Sequence, residues 1–183
     1  MSIGAIITLN NQYCNQYEVI DVNHEDVANS VDIMAHTQVG NMANDSYYYT
    51  TSNIRNWINN DYLNMFDYDI KQLMKTMPVV TERTTQEDKA KLLSWRELGV
   101  TYASSYMFST DGGEKYPVFT AGTYSTAILD RWRGAGGYGS NNNYWSRSRR
   151  SDSGTYRWSV SNNGIYSSLT YSSTCGVLPV MRF

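Results

Sequence analysis

A chain of 183 residues with 41% hydrophobic and 17% charged side chains and a net charge of −2 has the composition of one folded domain, residues 1–183. Those totals exclude an intrinsically disordered chain, and no apolar run approaches the roughly 18 residues of a membrane span. The aromatic content is unusual: 16 tyrosines and 5 tryptophans stand against 4 phenylalanines, and such polar-tipped rings suit contact surfaces as well as wet cores.

The run Ile3–Leu9, ended by Asn10-Asn11, reads as a strand, followed by Gln16–Val22 and Val31–His36. Ile54, Trp57, Ile58 and Tyr62 then fall at helical spacing behind Thr51 or Ser52 as N-cap, and the stripe reads as core packing. A second helix is expected from Ile70, Leu73, Met74 and Met77, with Asp67 or Asp69 as cap and Pro78 as stop. Lys89–Gly99 reads as a short apolar strand running into Ser94-Trp95-Arg96-Glu97, a capping-box spacing that predicts a short helix closed by Gly99. Beyond Thr101 the chain is rich in Gly, Ser, Asn and Tyr. Tyr156–Ser161 and Gly176–Phe183 are the best strands there, with Asn162-Asn163-Gly164 as a hairpin turn and Pro179 marking an edge or bulge. Strands, two helices and a loop-rich β half predict an α+β domain with helices against a small antiparallel sheet.

Several fragments in this order carry a resemblance. "SNIRNWIN" (52–59), "KLLSWRELG" (91–99), "YWSRSRR" (144–150) and "GVLPV" (176–180) resemble an uncharacterised family of bacterial and phage proteins with a C-type-lectin-like fold. The motifs S-x-I-R-x-W-L-N, Y-W-x-R-S and G-V-x-P are met except that Ile58 replaces Leu. Ser146 and Leu178 also stand where the family usually has an apolar residue and Arg. The chain is more distantly similar to the variable proteins of phages of the major tropism determinant type. The resemblance implies that the first and last strands pair and that a long loop region forms a ligand face. Trp132, Trp145 and Trp158 are the anchors expected to hold it in one shape.

More than half of residues 138–174 are Ser, Asn or Tyr, the chemistry of adaptable, paratope-like surfaces. The expected ligand-binding set is Asn142, Tyr144, Arg147, Arg149, Tyr156, Arg157, Asn162, Tyr166 and Tyr171. The function expected is a non-enzymatic phage virion surface protein that attaches to a host glycan or protein, folded in the host cytoplasm and carried on the particle. The alternative is a structural virion subunit, a capsid decoration or a tail or baseplate protein, that uses the same face for assembly. Virion proteins and further copies of the chain are the remaining expected partners. Single-stranded nucleic acid is a weaker alternative, drawn from Arg147, Arg149, Arg150 and Arg157 beside Tyr144, Trp145, Tyr156 and Trp158. The chain's net acidity argues against it.

No cofactor is expected, and the calcium candidate is a weak one. Asp21, Asn23, Glu25, Asn29 and Asp32 match EF-hand ligand positions with a carbonyl from Val27, but Asp26 sits where that loop needs Gly, and the flanks read as strands. Cys14 and Cys175 form no C-x-x-C pair and, with two histidines, no zinc set. A bridge between them requires the terminal strands to lie together, and assembly in a cytoplasm favours free thiols. The opening residues lack a basic n-region, so no secretory leader is expected. An enzyme is not expected: His24 and His36 sit in no recognisable catalytic arrangement, and Gly134–Gly139 lacks a phosphate loop's Lys. The formylglycine-generating enzymes, on the same C-type-lectin-like scaffold, need a close pair of reactive cysteines that this chain lacks.

Overall fold

A computed structural model of the protein describes residues 1–101, 110–131 and 143–183. In chain order the strands are β1 (Ile6–Thr8), β2 (Gln16–Val22), β3 (Val31–Ala35), β4 (Gly40–Ala43), β5 (Met77–Val80), β6 (Thr85–Asp88), β7 (Ala90–Lys91), β8 (Tyr144–Arg149), β9 (Tyr156–Val160), β10 (Tyr166–Thr170), β11 (Thr174–Val177) and β12 (Val180–Arg182). They form one five-stranded sheet in the order β1-β2-β3-β12-β7, a second in the order β10-β9-β8-β11-β4, and the hairpin β5-β6.

One antiparallel ribbon belongs to both large sheets. β3 pairs with β12 in the first and β4 with β11 in the second. Between them Ala35 N donates to Pro179 O at 3.1 Å and Val39 N donates to Val177 O at 3.0 Å, so the ladder continues where both segments change sheet. Pro179 has no N–H to offer a ladder and stands at that crossing, where none is required. The apolar sides of both sheets meet in one core that includes Tyr17, Val19, Ile33, Met34, Trp145, Trp158, Val177 and Met181.

The expected α+β, C-type-lectin-like layout with two helices is overturned: the described residues are mostly β, with twelve strands in three sheets. The first predicted helix exists as α1 (Asn53–Trp57), continued by a π turn (Ile58–Tyr62) and a 3-10 turn (Leu63–Met65), 13 residues in all. Ile54, Ile58 and Tyr62 are fully buried on the side that the spacing predicts. The second, α2 (Tyr68–Leu73), buries none of its residues, and Leu73 is 62% exposed. Met74 and Met77 reach the core from extended backbone instead. Lys75 N donates to Arg182 O at 2.8 Å and draws the chain out of the helix onto the end of β12. Pro78 therefore lies inside β5, opposite Glu87, rather than at a helix end.

Three further expectations are corrected. The last strand pairs with β3 and β7, not with the first. Gly176–Phe183 is two strands, β11 and β12, divided at Leu178-Pro179. The C-terminal part is not loop-dominated: β8, β9 and β10 form a meander, and the turn at Asn162–Gly164 does connect β9 to β10.

The segment 52–59 shows why its residue types are needed. Ser52 Oγ accepts from Arg55 N at 3.2 Å and caps the helix. Arg55 grips Asp88 with Nε and Nη2 at 2.9 and 2.6 Å, and Trp57 packs edge-on to Tyr13. Asn59 Oδ1 accepts from Ala90 N at 3.1 Å while its Nδ2 donates to Ala90 O at 2.8 Å, so one side chain replaces the missing neighbour strand at the edge of β7. Asn59→Ala leaves both groups of Ala90 unpaired and is expected to lower stability by about 1–3 kcal/mol in urea unfolding; an unchanged midpoint contradicts this role.

Candidate functional site

Beneath the meander lies a fully buried carboxylate. The predicted capping box forms: Glu97 N donates to Ser94 Oγ at 3.2 Å and Ser94 N donates to Glu97 Oε2 at 2.8 Å. It encloses one turn, not a helix, because Gly99 at φ +74° ends it at once. The same carboxylate receives Lys91 Nζ at 2.9 Å and the guanidinium of Arg147, and all three side chains are 0% exposed. Arg147 also donates to the carbonyls of Leu92 and Gly112 at 2.9 and 2.8 Å. Burial alone would raise the Glu97 pKa, but Arg147 and Lys91 hold it down at about 2. Gly113 must lack a side chain, since a Cβ there would collide with that of Glu97.

Above this buried cluster the surface is built from tyrosine and arginine. Tyr47 and Tyr48 are half-buried and meet edge to face at 4.9 Å. The Arg83 guanidinium, from the tip of the β5-β6 hairpin, lies 3.5 Å over the Tyr48 ring and donates to its hydroxyl at 2.8 Å. Arg149, at the end of β8, lies 4.5 Å over the Tyr47 ring, pairs with Glu82 and donates to the Tyr47 hydroxyl. Tyr47 donates in turn to Arg150 O at 2.9 Å, and the Arg150 side chain pairs with Asp152 and approaches the exposed Tyr156 ring at 5.8 Å. The result is a continuous strip of rings fixed by stacked guanidinium groups, with little rotamer freedom left to lose on contact.

Among the nine expected ligand-binding residues, Arg149, Tyr156 and Tyr171 stand at this end of the meander, where Tyr171 N donates to Thr155 O. Asn162 is exposed at the opposite end of β9, in the turn. Asn142 lies outside the described residues, as does the expected anchor Trp132. The other four are corrections: Tyr144, Arg147, Arg157 and Tyr166 are buried and cannot touch a ligand. β8 is central and buried on both faces; Arg147 and Arg149, two residues apart, line the same cleft, Arg147 reaching in to Glu97 and Arg149, at the strand's end, reaching Glu82 and Tyr47. Tyr166 is held by the Ser146 hydroxyl and stacks on Trp158 at 5.2 Å. Arg157 has no ion pair among the described residues and donates only to Tyr47 O at 3.4 Å; burial draws its pKa down to about 10. Of the aromatic residues in the nucleic-acid alternative, Tyr144, Trp145 and Trp158 are also inside and Tyr156 alone is exposed. Tyr47, Tyr48 and Arg83 are outside the set expected from sequence, although the run Tyr47-Tyr48-Tyr49 carries a signal for them.

The expected calcium ligands do not converge. Asp32 is clasped by Arg182 at 2.7 and 2.8 Å and accepts from Tyr116 at 2.8 Å, while Asp21 pairs with His24 at 2.6 Å. Glu25 faces Arg182, and Asn23 Oδ1 accepts from Asn29 N at 2.8 Å. Val27 O accepts from Ser30 Oγ at 2.8 Å. Among the described residues no group of three or more His, Cys, Asp or Glu side chains is placed to hold a metal. Cys14 and Cys175 are buried free thiols, and burial pushes that of Cys175 up to about 12. A cleft beneath the Tyr48 strip, lined in part by Asp111, Arg147 and Glu82, has an interior of about 10 Å³, the room of a single water molecule. A second, wholly apolar groove of about 220 Å³ lies between α2 and the sheet that contains β1. No helix among the described residues is long and apolar enough to cross a membrane.

A family model described as a domain of unknown function, DUF6273, matches residues 12–182, nearly the whole chain. No curated protein and no solved structure matches it.

Glu97→Gln strands two buried cations and is expected to cost about 3–5 kcal/mol, whereas Arg157→Met removes a cation that has no carboxylate partner and is expected to be neutral or stabilising. The folded pKa of Glu97 lies below its ordinary 4.5, so its contribution is present above that value and fades as pH falls toward about 2. Urea titrations of the three proteins between those pH limits check both the ranking and the acid slope. Native alkylation followed by mass measurement is expected to leave Cys175 unmodified; rapid labelling contradicts its burial.

Proposed function

The chain belongs to the DUF6273 family, and we propose that it is a non-catalytic recognition module that meets its ligand through the tyrosine and arginine strip of Tyr47, Tyr48, Arg83, Arg149, Arg150 and Tyr156. In this reading it is a surface protein of a phage virion and the ligand is a glycan or protein of the host surface. The observation that carries the proposal is the rigidity of the strip. Rings held by stacked guanidinium groups offer large contact area at low entropic cost, and Tyr and Arg are the residue types that dominate binding hot spots. The Ser-rich strand β10 and the half-buried Tyr171 extend the polar rim beside it.

The apolar groove favours a second reading, a structural virion subunit. Tyr48 and Tyr156 buried against another virion chain in an assembled particle would select that reading over host attachment. The purified chain is expected to bind a subset of an array of bacterial surface polysaccharides or intact bacterial cells. Tyr156→Ala combined with Arg83→Ala is expected to weaken that binding at least about tenfold without changing the unfolding midpoint. Absence of binding to every probe, or equal binding by the double variant, overturns the proposal.

A further inference from the structure

Strand β1 is the open edge of its sheet. Ile7 lies opposite Tyr17, and Leu9 N donates to Asn15 O two residues further on, so Ile7 is the residue whose N–H and C=O face β2. The backbone groups of Ile6 and Thr8 therefore point away from β2. Both residues are exposed, and no hydrogen bond among the described residues reaches them from outside that ladder. The other edge strands of the two large sheets have backbone groups taken by specific partners. Asn59 closes Ala90 on β7. On β4, Met42 O accepts from Trp145 Nε1 at 2.9 Å and Ala43 O accepts from Asn53 Nδ2 at 3.0 Å. On β10, Tyr166 N donates to Tyr124 O at 2.9 Å. Beside the open edge lies the apolar groove of about 220 Å³, between Ile7, Leu9 and Ile33 of the sheet and Leu73 of α2. Two of its rim residues, Met1 and Leu73, are 76% and 62% exposed.

We propose that two copies of this chain associate through β1, the strands pairing antiparallel about a two-fold axis that passes by Ile7. Ile6 of one copy then faces Thr8 of the other, and these residues exchange the N–H···O=C bonds that neither copy makes alone. Because the axis is perpendicular to the sheet, the two grooves fall on the same side of the joined sheet, where Met1 and Leu73 of each copy pack toward the other. A second copy fits this edge better than a charged partner: no residue before Glu18 carries a charged side chain, so the paired strands bring no like-charged side chains together. The pairing leaves the tyrosine and arginine strip uncovered and makes the module bivalent.

The test is sedimentation of the full chain from low-micromolar to near-millimolar concentration, together with two variants. Ile6→Lys places like charges across the axis, and Thr8→Pro deletes an outward N–H without touching the β1-β2 ladder. The wild type is expected to dimerise, and each variant to weaken dimerisation at least about tenfold with an unchanged circular dichroism spectrum. Hydrogen exchange of the Ile6 and Thr8 amides is expected to slow as concentration rises. A wild type that stays monomeric throughout overturns the proposal. So does a dimer that survives both variants while those amides exchange freely, since its interface then lies elsewhere.

Discussion

The arrangement depends on one buried carboxylate. Glu97 is held at the centre of a turn by Ser94, and from there it fixes Lys91 on β7 and Arg147 on β8, strands of different sheets. Removing three charged side chains from water is costly, and the arrangement persists because the carboxylate accepts from Lys91, Arg147 and the Ser94 N–H, while the guanidinium divides its hydrogen bonds between Glu97 and backbone carbonyls. The carbonyls of Leu92 and Gly112 accept from the two terminal guanidinium nitrogens, and Arg147 Nε has no partner among the described residues. A hydrophobic trio of similar volume would pack as well, but it would not specify which strand of one sheet faces which strand of the other.

That internal fixation shapes the surface. Arg147 holds β8 against Glu97, and Arg149, two residues on along the same side and at the strand's end, is thereby delivered to Tyr47 and Glu82. The outer strip is thus set from within, two residues along a strand. A recognition surface built this way needs no rearrangement to bind, which favours pre-organised contact over folding on binding. An edge-paired dimer would present two such strips on one body and raise effective affinity for a repetitive surface.

Local signals were legible in the sequence, and long-range ones were not. Ser52, the stripe Ile54, Ile58, Tyr62, the strands Gln16–Val22 and Tyr156–Val160 and the box Ser94–Glu97 all declare themselves through neighbours a few residues away. What misled was polarity. Strand β8 reads as a wet surface because Ser146, Arg147 and Ser148 look solvent-facing, yet all three are buried, their polar atoms met largely by partners distant in the chain. The second helix fails for the converse reason: Met74 and Met77 are buried at helical spacing but from extended backbone, and spacing alone does not distinguish the two. The strip of Tyr47, Tyr48 and Arg83 joins residues from two separate loops, so no single stretch of sequence contains it.

The central claim is that Glu97 remains ionised in the folded protein because Lys91 and Arg147 surround it. Carbon-detected NMR of the side-chain carboxyls during acid titration addresses this directly. The Glu97 signal is expected to keep its ionised shift while the exposed glutamates protonate, and to titrate only near pH 2. Protonation of Glu97 together with them, near its ordinary value of 4.5, would contradict the account.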